Sequence, residues 1–247
     1  MLEDNANRKK RKMEYESSYS KMTLAAAEER LDLDLQEFVS EAISVDRMLE
    51  EAKYKTYGYP KDVIKSTKEK VFCRIAEYLQ FEGYPTEAGP DFKRANINDL
   101  ILYIIGPIMW DFGIELDEGN ALLRREKEII SPDSKTGGYG EFVVVEKCGP
   151  GVCESYILII ESKPSPGEAI KHCLLAMKDM WSNNARGKVY GFVTTGDDWR
   201  MLSYDGITFD MTEKIAVLST SWSRDRWMKE GSVLVDCIIA ALHSGSM

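Results

Sequence analysis

The chain has 247 residues, enough for one large domain or for one domain with an appendage. With 44% hydrophobic and 30% charged residues, it has the composition of an ordinary globular protein and not of a fibrous or low-complexity chain. The net charge of −9 argues against a broad, non-specific coat on nucleic acid, but it leaves room for a local basic groove.

Residues 1–20 are rich in charged and polar side chains, and we expect them to be disordered. They include five consecutive basic residues, Arg8 to Lys12, which are typical of a nuclear-import signal, of a phosphate-binding tail or of a solvated basic tail. The charged N-terminus lacks the apolar segment of a signal peptide. We therefore expect an intracellular protein, with nuclear import as a hypothesis.

Residues 22–55 predict one amphipathic helix, because apolar residues recur mostly at spacings of three, four or seven. The members of this leucine stripe are Leu24, Leu31, Leu35, Phe38, Ala42, Val45 and Leu49. Two interpretations remain open: the stripe packs inside the protein, or it forms a homodimer or docks on a protein partner. The segment Tyr57-Gly-Tyr-Pro60 ends the predicted helix.

Two more helices are predicted, over residues 61–82 and about 96–112. The second contains the longest apolar stretch, Leu100 to Trp110, in which Gly106-Pro107 predicts a kink. This stretch is too short to span a bilayer, so we expect no membrane insertion.

After residue 120 the pattern changes to short apolar runs separated by turns. Strands are predicted at 121–130, 141–146 and 156–161, and their short connections favour an antiparallel meander. A helix over 168–182 and a strand over 188–194 follow, and this crossover should make the third and fourth strands parallel. Further elements are expected at 199–204, 215–219 and 223–242. The chain therefore predicts an α/β fold with a mixed central sheet flanked by helices.

The five cysteines have irregular spacings, which favours free thiols in a reducing compartment. Cys148 and Cys153 flank a Gly-Pro-Gly turn, and His172-Cys173 lies downstream. These residues leave a structural zinc site open as a minor alternative, although such sites usually show tighter paired spacings.

The most informative segment is Tyr156-Ile-Leu-Ile-Ile-Glu161-Ser-Lys163-Pro164, which reads as a buried strand that ends in an acid and a lysine. Because side chains alternate along a strand, Glu161 and Lys163 should point to the same side. Unpaired charges are costly to bury, so a contact or a function must account for charged residues at the end of a buried strand. The two residues form either a simple ion pair or part of a metal-dependent phosphodiesterase site.

The element order, together with three sequence blocks, resembles the PD-(D/E)XK nuclease superfamily. The blocks are Gly138-Tyr-Gly-Glu141-Phe-Val-Val-Val, Ile159-Ile-Glu161-Ser-Lys163 and Val189-Tyr-Gly-Phe-Val-Thr-Thr-Gly-Asp-Asp-Trp-Arg200. They are most similar to the eukaryotic branch of fungal proteins and Crinkler-type effectors. The resemblance covers about residues 96–220. It implies a restriction-endonuclease-like αβββαβ core within 96–247, preceded by a helical extension over 21–95.

The resemblance also implies roles for individual residues. Glu141 and Glu161 match the two metal-binding acids, Lys163 matches the catalytic lysine, and the carbonyl of Ser162 is a further candidate ligand. Hard oxygen ligands suit Mg²⁺ or Mn²⁺. The implied activity is metal-dependent hydrolysis of DNA. The alternative is an inactive member that binds nucleic acid or a protein, for instance as an effector.

Three features depart from the family pattern. The first acid is Glu141, where aspartate is commoner, and the literal Pro132-Asp133 falls in a turn before the second strand. The helix after the motif often carries a glutamine that faces the site. Here Lys171 or His172 would take that place, although His172 also fits a hydrogen-bonded core histidine.

The first predicted strand adds further candidates. Glu126 or Glu128 could supply another carboxylate, and Arg124 and Arg125 could contact phosphates. The alternative for Arg124 and Arg125, together with Lys127, is a solvated strand face on which bases alternate with acids.

Overall fold

The computed structural model describes residues 15–54, 58–84, 94–113, 121–147, 154–163, 165–184, 187–218 and 222–244. The helices are α1 (Leu24–Leu31), α2 (Leu35–Ser40), α3 (Val45–Glu51), α4 (Lys61–Glu82), α5 (Arg94–Ile108), α6 (Pro166–Asn183), α7 (Arg224–Arg226) and α8 (Val233–Ser244). The strands are β1 (Ser17–Ser18), β2 (Ala121–Ile130), β3 (Thr136–Lys147), β4 (Glu154–Ser162), β5 (Val189–Thr194), β6 (Asp198–Tyr204), β7 (Phe209–Met211) and β8 (Ile215–Ala216). π-helical turns follow α5 and α7.

All the strands join one mixed sheet in the order β1-β3-β4-β5-β6-β7, with β2 also paired to β3 and β8 to β6. The predicted meander is confirmed, because β2–β3 and β3–β4 are antiparallel. The predicted crossover is confirmed too, since β4 and β5 are parallel and α6 connects them. The α/β class predicted from the sequence is therefore correct.

Helices cover both faces of the sheet, and each interface has its own hydrophobic core. One core packs α4, α5 and α8 against residues such as Phe142, Val144 and Ile160. The other packs α1, α2 and α6 against Val143 and Ile159. Alternate residues of β3 and β4 thus serve opposite cores, as expected for strands buried on both sides.

The single helix predicted over 22–55 is wrong, because this segment forms the three short helices α1, α2 and α3. Helix α1 ends at Asp32, whose φ of 56° lies in the left-handed region. Asp34 and Ser44 then cap α2 and α3 by accepting hydrogen bonds from backbone N–H groups of their first turns. Local capping therefore divides an apolar period that by itself predicts one continuous helix.

The predicted disorder of residues 1–20 is wrong for the part that the structure describes. Ser17–Ser18 form β1, which pairs in parallel with Thr136 and Gly137 of β3, and the Tyr19 side chain is fully buried. The basic run Arg8 to Lys12 lies outside the described residues. The predicted extension over 21–95 does not pack as a separate unit, since α4 shares a core with α5 and α8.

The apolar stretch of α5 packs inside the protein. The helix continues through Gly106-Pro107 and passes into a π-helical turn over Met109–Gly113. Among the described helices, none has both the length and the apolar character needed to cross a membrane.

Candidate functional site

Two buried glutamates lie side by side on adjacent strands. The β3–β4 register pairs Phe142 with Ile160, which places Glu141 opposite Glu161. Glu141 is 5% exposed and Glu161 is 0% exposed. Like charges directly opposite one another destabilise a sheet, and burial increases the cost. The local structure must therefore supply donors or cations to this pair.

Each strand donates hydrogen bonds to the acid of the other. The backbone N–H of Glu141 donates to Glu161 Oε1 at 3.2 Å, and the backbone N–H of Ser162 donates to Glu141 Oε2 at 2.8 Å. From α6, His172 Nδ1 lies 2.8 Å from Glu161 Oε2. A carboxylate accepts only, so this contact assigns the His172 proton to Nδ1. These bonds hold both carboxylates in one geometry.

The Ser162 hydroxyl connects the glutamates to α5. Its Oγ lies 2.7 Å from Glu141 Oε2 and 2.8 Å from Asn98 Oδ1. One hydroxyl carries one proton, and donation to a carboxylate is the stronger bond. Turning the Asn98 amide by 180° would let its NH₂ group donate to Ser162, so that every group is satisfied. Ser162 thus positions Glu141 through its side chain, a role that the sequence did not indicate.

Arg94, the first residue of α5, brings a positive charge to Glu141. Its Nε lies 2.8 Å from Glu141 Oε1, and its side chain is 50% exposed. Oε1 nevertheless accepts no hydrogen bond of good geometry, because no N–H is well aligned with it. The contact is therefore a charge pair at short distance and not a well-directed bond.

Lys163 directly follows β4 and is partly buried. Within the described part of the chain it makes no ion pair closer than 4.0 Å. Burial lowers the pKa of Lys163, the Glu161 charge opposes this effect, and the Arg94 charge adds to it. The ammonium is thus close to the two acids without being neutralised by either of them.

A third acid, Glu126, continues the row across the sheet. The register pairs Arg125 with Phe142 and Lys127 with Gly140, so Glu126 lies opposite Glu141. Its φ of 48° is in the left-handed region, which is uncommon for a residue other than glycine. The β2, β3 and β4 strands therefore present one glutamate each at the same level of the sheet.

The remaining predicted site residues make contacts of their own. Tyr139 Oη donates to Glu128 at 3.1 Å, and Lys171 Nζ donates to the carbonyl of Met22 and to Glu168. On β2, Arg124 pairs with Glu154 at 2.9 Å, and the Arg125 guanidinium lies 5.3 Å from the centre of the Phe142 ring. The structure thus groups Glu141, Glu161, Ser162, Lys163, His172 and Glu126, and it places Glu128, Lys171 and Arg124 in other contacts.

The donor set fits a hard divalent cation in its chemistry. Glu141, Glu161 and the Ser162 backbone carbonyl are oxygen ligands of the kind that Mg²⁺ and Mn²⁺ prefer. The unbonded Glu141 Oε1 is the buried oxygen that a cation would satisfy. Within the described residues, no three His, Cys, Asp or Glu side chains are arranged to hold a metal. Coordination would therefore depend on two carboxylates, the backbone carbonyl and water.

The structure describes only part of the residues that the zinc alternative would need. Cys148 and Cys153 lie outside the described residues. Cys173 is a free, buried thiol whose Sγ lies 3.7 Å from the Met177 sulfur, and His172 faces Glu161.

Sequence reasoning missed Arg94 and Asn98. Their spacing of four residues places them on one face of a helix, and they are polar residues at the start of a largely apolar helix. This signal was available in the sequence. Which site the polar face approaches depends on how α5 crosses β4, and helical periodicity carries no information about that crossing.

The scan against protein-family models found no match, and the search of curated proteins found none either. The function of this chain is therefore inferred from the geometry of the Glu141–Glu161 pair and the groups around it.

Proposed function

We propose that this protein is a metal-dependent nuclease that hydrolyses phosphodiester bonds in DNA. The observation that carries the proposal is the buried Glu141–Glu161 pair, with Lys163 two residues after the second acid. A fold gains nothing in stability from two carboxylates buried side by side, whereas a phosphodiesterase needs such a pair to hold a cation.

Each group would have a distinct role. Glu141, Glu161 and the Ser162 carbonyl would hold Mg²⁺ or Mn²⁺, which when bound supplies Lewis acidity and lowers the pKa of a coordinated water. Lys163 would orient the attacking water or stabilise negative charge on the phosphate. His172 would hold Glu161 in place, while Ser162 and Asn98 would hold Glu141.

The test is cleavage of supercoiled plasmid and of short single- and double-stranded DNA in Mg²⁺, Mn²⁺ or EDTA. We expect cleavage that requires metal and falls by at least about 100-fold in Lys163→Ala, the scale of losing one preorganised electrostatic group. An RNA substrate of the same sequence would show whether the activity is confined to DNA.

Lys147→Ala is the matched control. Lys147 is exposed at the far end of β3, six residues or about 20 Å along the strand from Glu141. This variant should cleave like the wild type. Cleavage that persists in Lys163→Ala, or that EDTA leaves intact, would place the activity in a contaminant or at another site.

A second candidate function is a non-catalytic module of the same fold that binds nucleic acid or a protein, as an effector could. One observation favours it: Arg94 already neutralises Glu141, as a metal would in an enzyme. A protein partner could contact Leu24 and Val39, the exposed apolar residues of α1 and α2. Calorimetry with Mn²⁺ separates the two functions, because the enzyme requires metal binding by the wild type and the module does not.

Nuclear import is the localisation that Arg8 to Lys12 supports. In a fluorescent fusion expressed in eukaryotic cells, replacing all five basic residues with serine should abolish nuclear accumulation. Equal distributions of the two fusions would leave the run as a solvated tail.

A further inference from the structure

We propose that Arg94 is a displaceable cation: it neutralises Glu141 in the metal-free protein and competes with the divalent metal for the same carboxylate oxygen. The inference rests on the proposed function, because it concerns how the same site changes from a metal-free to a metal-bound state. Arg94, in the first turn of α5, would then regulate how readily the site binds metal.

Arg94 lies against one particular oxygen of Glu141. Its Nε lies 2.8 Å from Glu141 Oε1, the oxygen that accepts no well-aligned hydrogen bond. The other oxygen, Oε2, accepts from both the N–H and the hydroxyl of Ser162. A cation that approaches Glu141 therefore finds only Oε1 available, and Arg94 stands against that oxygen.

The electrostatic surroundings of Arg94 match those of a bound cation. The guanidinium lies 2.8 Å from Glu141, and the strand register places Glu161 and Glu126 opposite Glu141 on the two neighbouring strands. The same three glutamates form the row across β2, β3 and β4. Arg94 thus lies in the field that would otherwise attract a divalent metal.

The charge balance makes simultaneous occupation unfavourable. Arg94 and Lys163 already bring two positive charges to the row of three glutamates. A divalent cation on the buried Glu141 carboxylate would add two positive charges close to the Arg94 guanidinium, and like charges at such short distance repel. Withdrawal of Arg94 relieves this repulsion and frees Oε1.

Arg94 is also free to move. Half of its side chain is exposed, whereas Glu141 is held by Ser162 and Glu161 is held by His172. The guanidinium can therefore rotate into solvent around its own side-chain bonds, without disturbing the strands. Its contact with Glu141 is a charge pair without an aligned hydrogen bond, whereas Ser162 and His172 hold the two acids by hydrogen bonds.

The experiment is calorimetric titration of the full chain with MnCl₂, followed by MgCl₂, with circular dichroism to check folding. The variants are Arg94→Gln, Arg94→Lys, Glu141→Gln and the control Arg74→Gln. Arg74 is an exposed arginine that pairs with Glu77 within α4. We expect Arg94→Gln to bind Mn²⁺ about tenfold more tightly than the wild type, which corresponds to about 1.4 kcal/mol. Arg94→Lys keeps the charge and should stay near the wild-type affinity, as should Arg74→Gln, and Glu141→Gln should abolish binding.

The outcomes separate this inference from the proposed function. Equal affinities in wild type and Arg94→Gln would overturn the inference and leave the nuclease standing. Binding by Arg94→Gln alone would support the inference and show that the wild type is the non-catalytic module. Absence of binding in both proteins would overturn both proposals.

A readout on the wild type covers the case in which Arg94→Gln fails to fold. Phenylglyoxal modifies accessible guanidinium groups, and mass spectrometry locates the modified residue. Saturating Mn²⁺ should speed the modification of Arg94 several-fold and leave that of Arg74 unchanged. A rate at Arg94 that is unaffected or slowed by the metal would overturn the inference.

Discussion

At the scale of single residues, His172 helps to hold the buried Glu161 carboxylate by a hydrogen bond. Glu161 is fully buried, and its two oxygens accept from the Glu141 N–H and from His172 Nδ1. The His172 ring also packs edge-on against Tyr19 at 5.2 Å between centroids. His172 is therefore a buried core histidine whose hydrogen bond also holds Glu161 in position.

Replacing His172 with alanine should lower the free energy of unfolding by about 1–3 kcal/mol, because Glu161 Oε2 would be left buried without a donor. His172→Gln restores a donor and should recover most of that loss. Urea unfolding monitored by circular dichroism measures both. Equal losses in the two variants would mean that ring packing against Tyr19, and not the hydrogen bond, is what matters.

Lys163 should cost stability at neutral pH, because burial lowers its pKa. Between the lowered pKa and the ordinary value near 10.5, the unfolded chain binds more protons, so stability rises with pH there. At pH values below the lowered pKa, the protein bears the full loss of stability that results from burying the charged Lys163. Lys163→Met should therefore stabilise the protein at pH 7, by less than about 1 kcal/mol because solvent screens this half-buried group.

Urea unfolding of Lys163→Met and wild type from pH 7 to pH 11 checks this. The difference in the free energy of unfolding between the two proteins should shrink as the pH rises from the lowered pKa of Lys163 towards its ordinary value. A variant less stable than wild type at pH 7 would show instead that the attraction of Lys163 to Glu161 outweighs the cost of burial.

At the scale of elements, the candidate site lies where β3 changes neighbours. One edge of β3 pairs with β2, and the other pairs with β4 at residues 142–147 and with β1 at Thr136 and Gly137. Glu141 lies between these two neighbours. The β1 segment reaches β3 because Gly138 has no side chain: a Cβ there would lie 2.4 Å from Tyr19 Cδ2. A glycine thus permits the close approach that orders the N-terminal segment beside the site.

Gly138→Ala should lower the free energy of unfolding by about 1–3 kcal/mol, the usual cost of overpacking a core. The physical cause is that Tyr19 must shift, which disturbs its 2.8 Å hydrogen bond to Asp179. Gly167→Ala is the matched control, since a Cβ at that position in α6 meets nothing within 4 Å and alanine favours helix. Urea denaturation measures the free energy of unfolding of both variants. Equal losses in Gly138→Ala and Gly167→Ala would contradict this explanation.

At the scale of the whole molecule, the leucine stripe is used mainly within the chain. Leu31, Leu35, Phe38 and Val45 are all at most 9% exposed and belong to the two cores. Leu24, at 57% exposed, points outward. Since most of the apolar area of residues 22–55 is already buried, little of it remains to stabilise a homodimer.

We therefore expect a monomer of 28.1 kDa by light scattering at micromolar concentration. A dimer would instead identify the exposed face of α1 and α2 as an interface. In that case Leu24→Lys or Val39→Lys should restore the monomer, whereas Lys147→Ala should not.

The sequence predicted elements well where periodicity and local turns decide the structure. The 61–82 helix, the β2–β4 meander and the parallel β4–β5 pair were all predicted correctly. The division of residues 22–55 was missed, because the apolar period continues across the caps Asp34 and Ser44 that begin new helices. The strand β1 was missed because two residues in a polar tail carry no periodic signal, and among the described strands β1 pairs with β3 alone.

The sequence by itself determined the α/β class and the position of Glu161 and Lys163 at the end of a buried strand, since alternation and apolar runs are properties of neighbouring residues. Only the tertiary structure decided that Glu126, Glu141 and Glu161 align across three strands, because that alignment depends on strand register. It also decided that Arg94 and Asn98 reach the site. Helix packing sets which groups of distant elements meet, and no spacing within one segment encodes it.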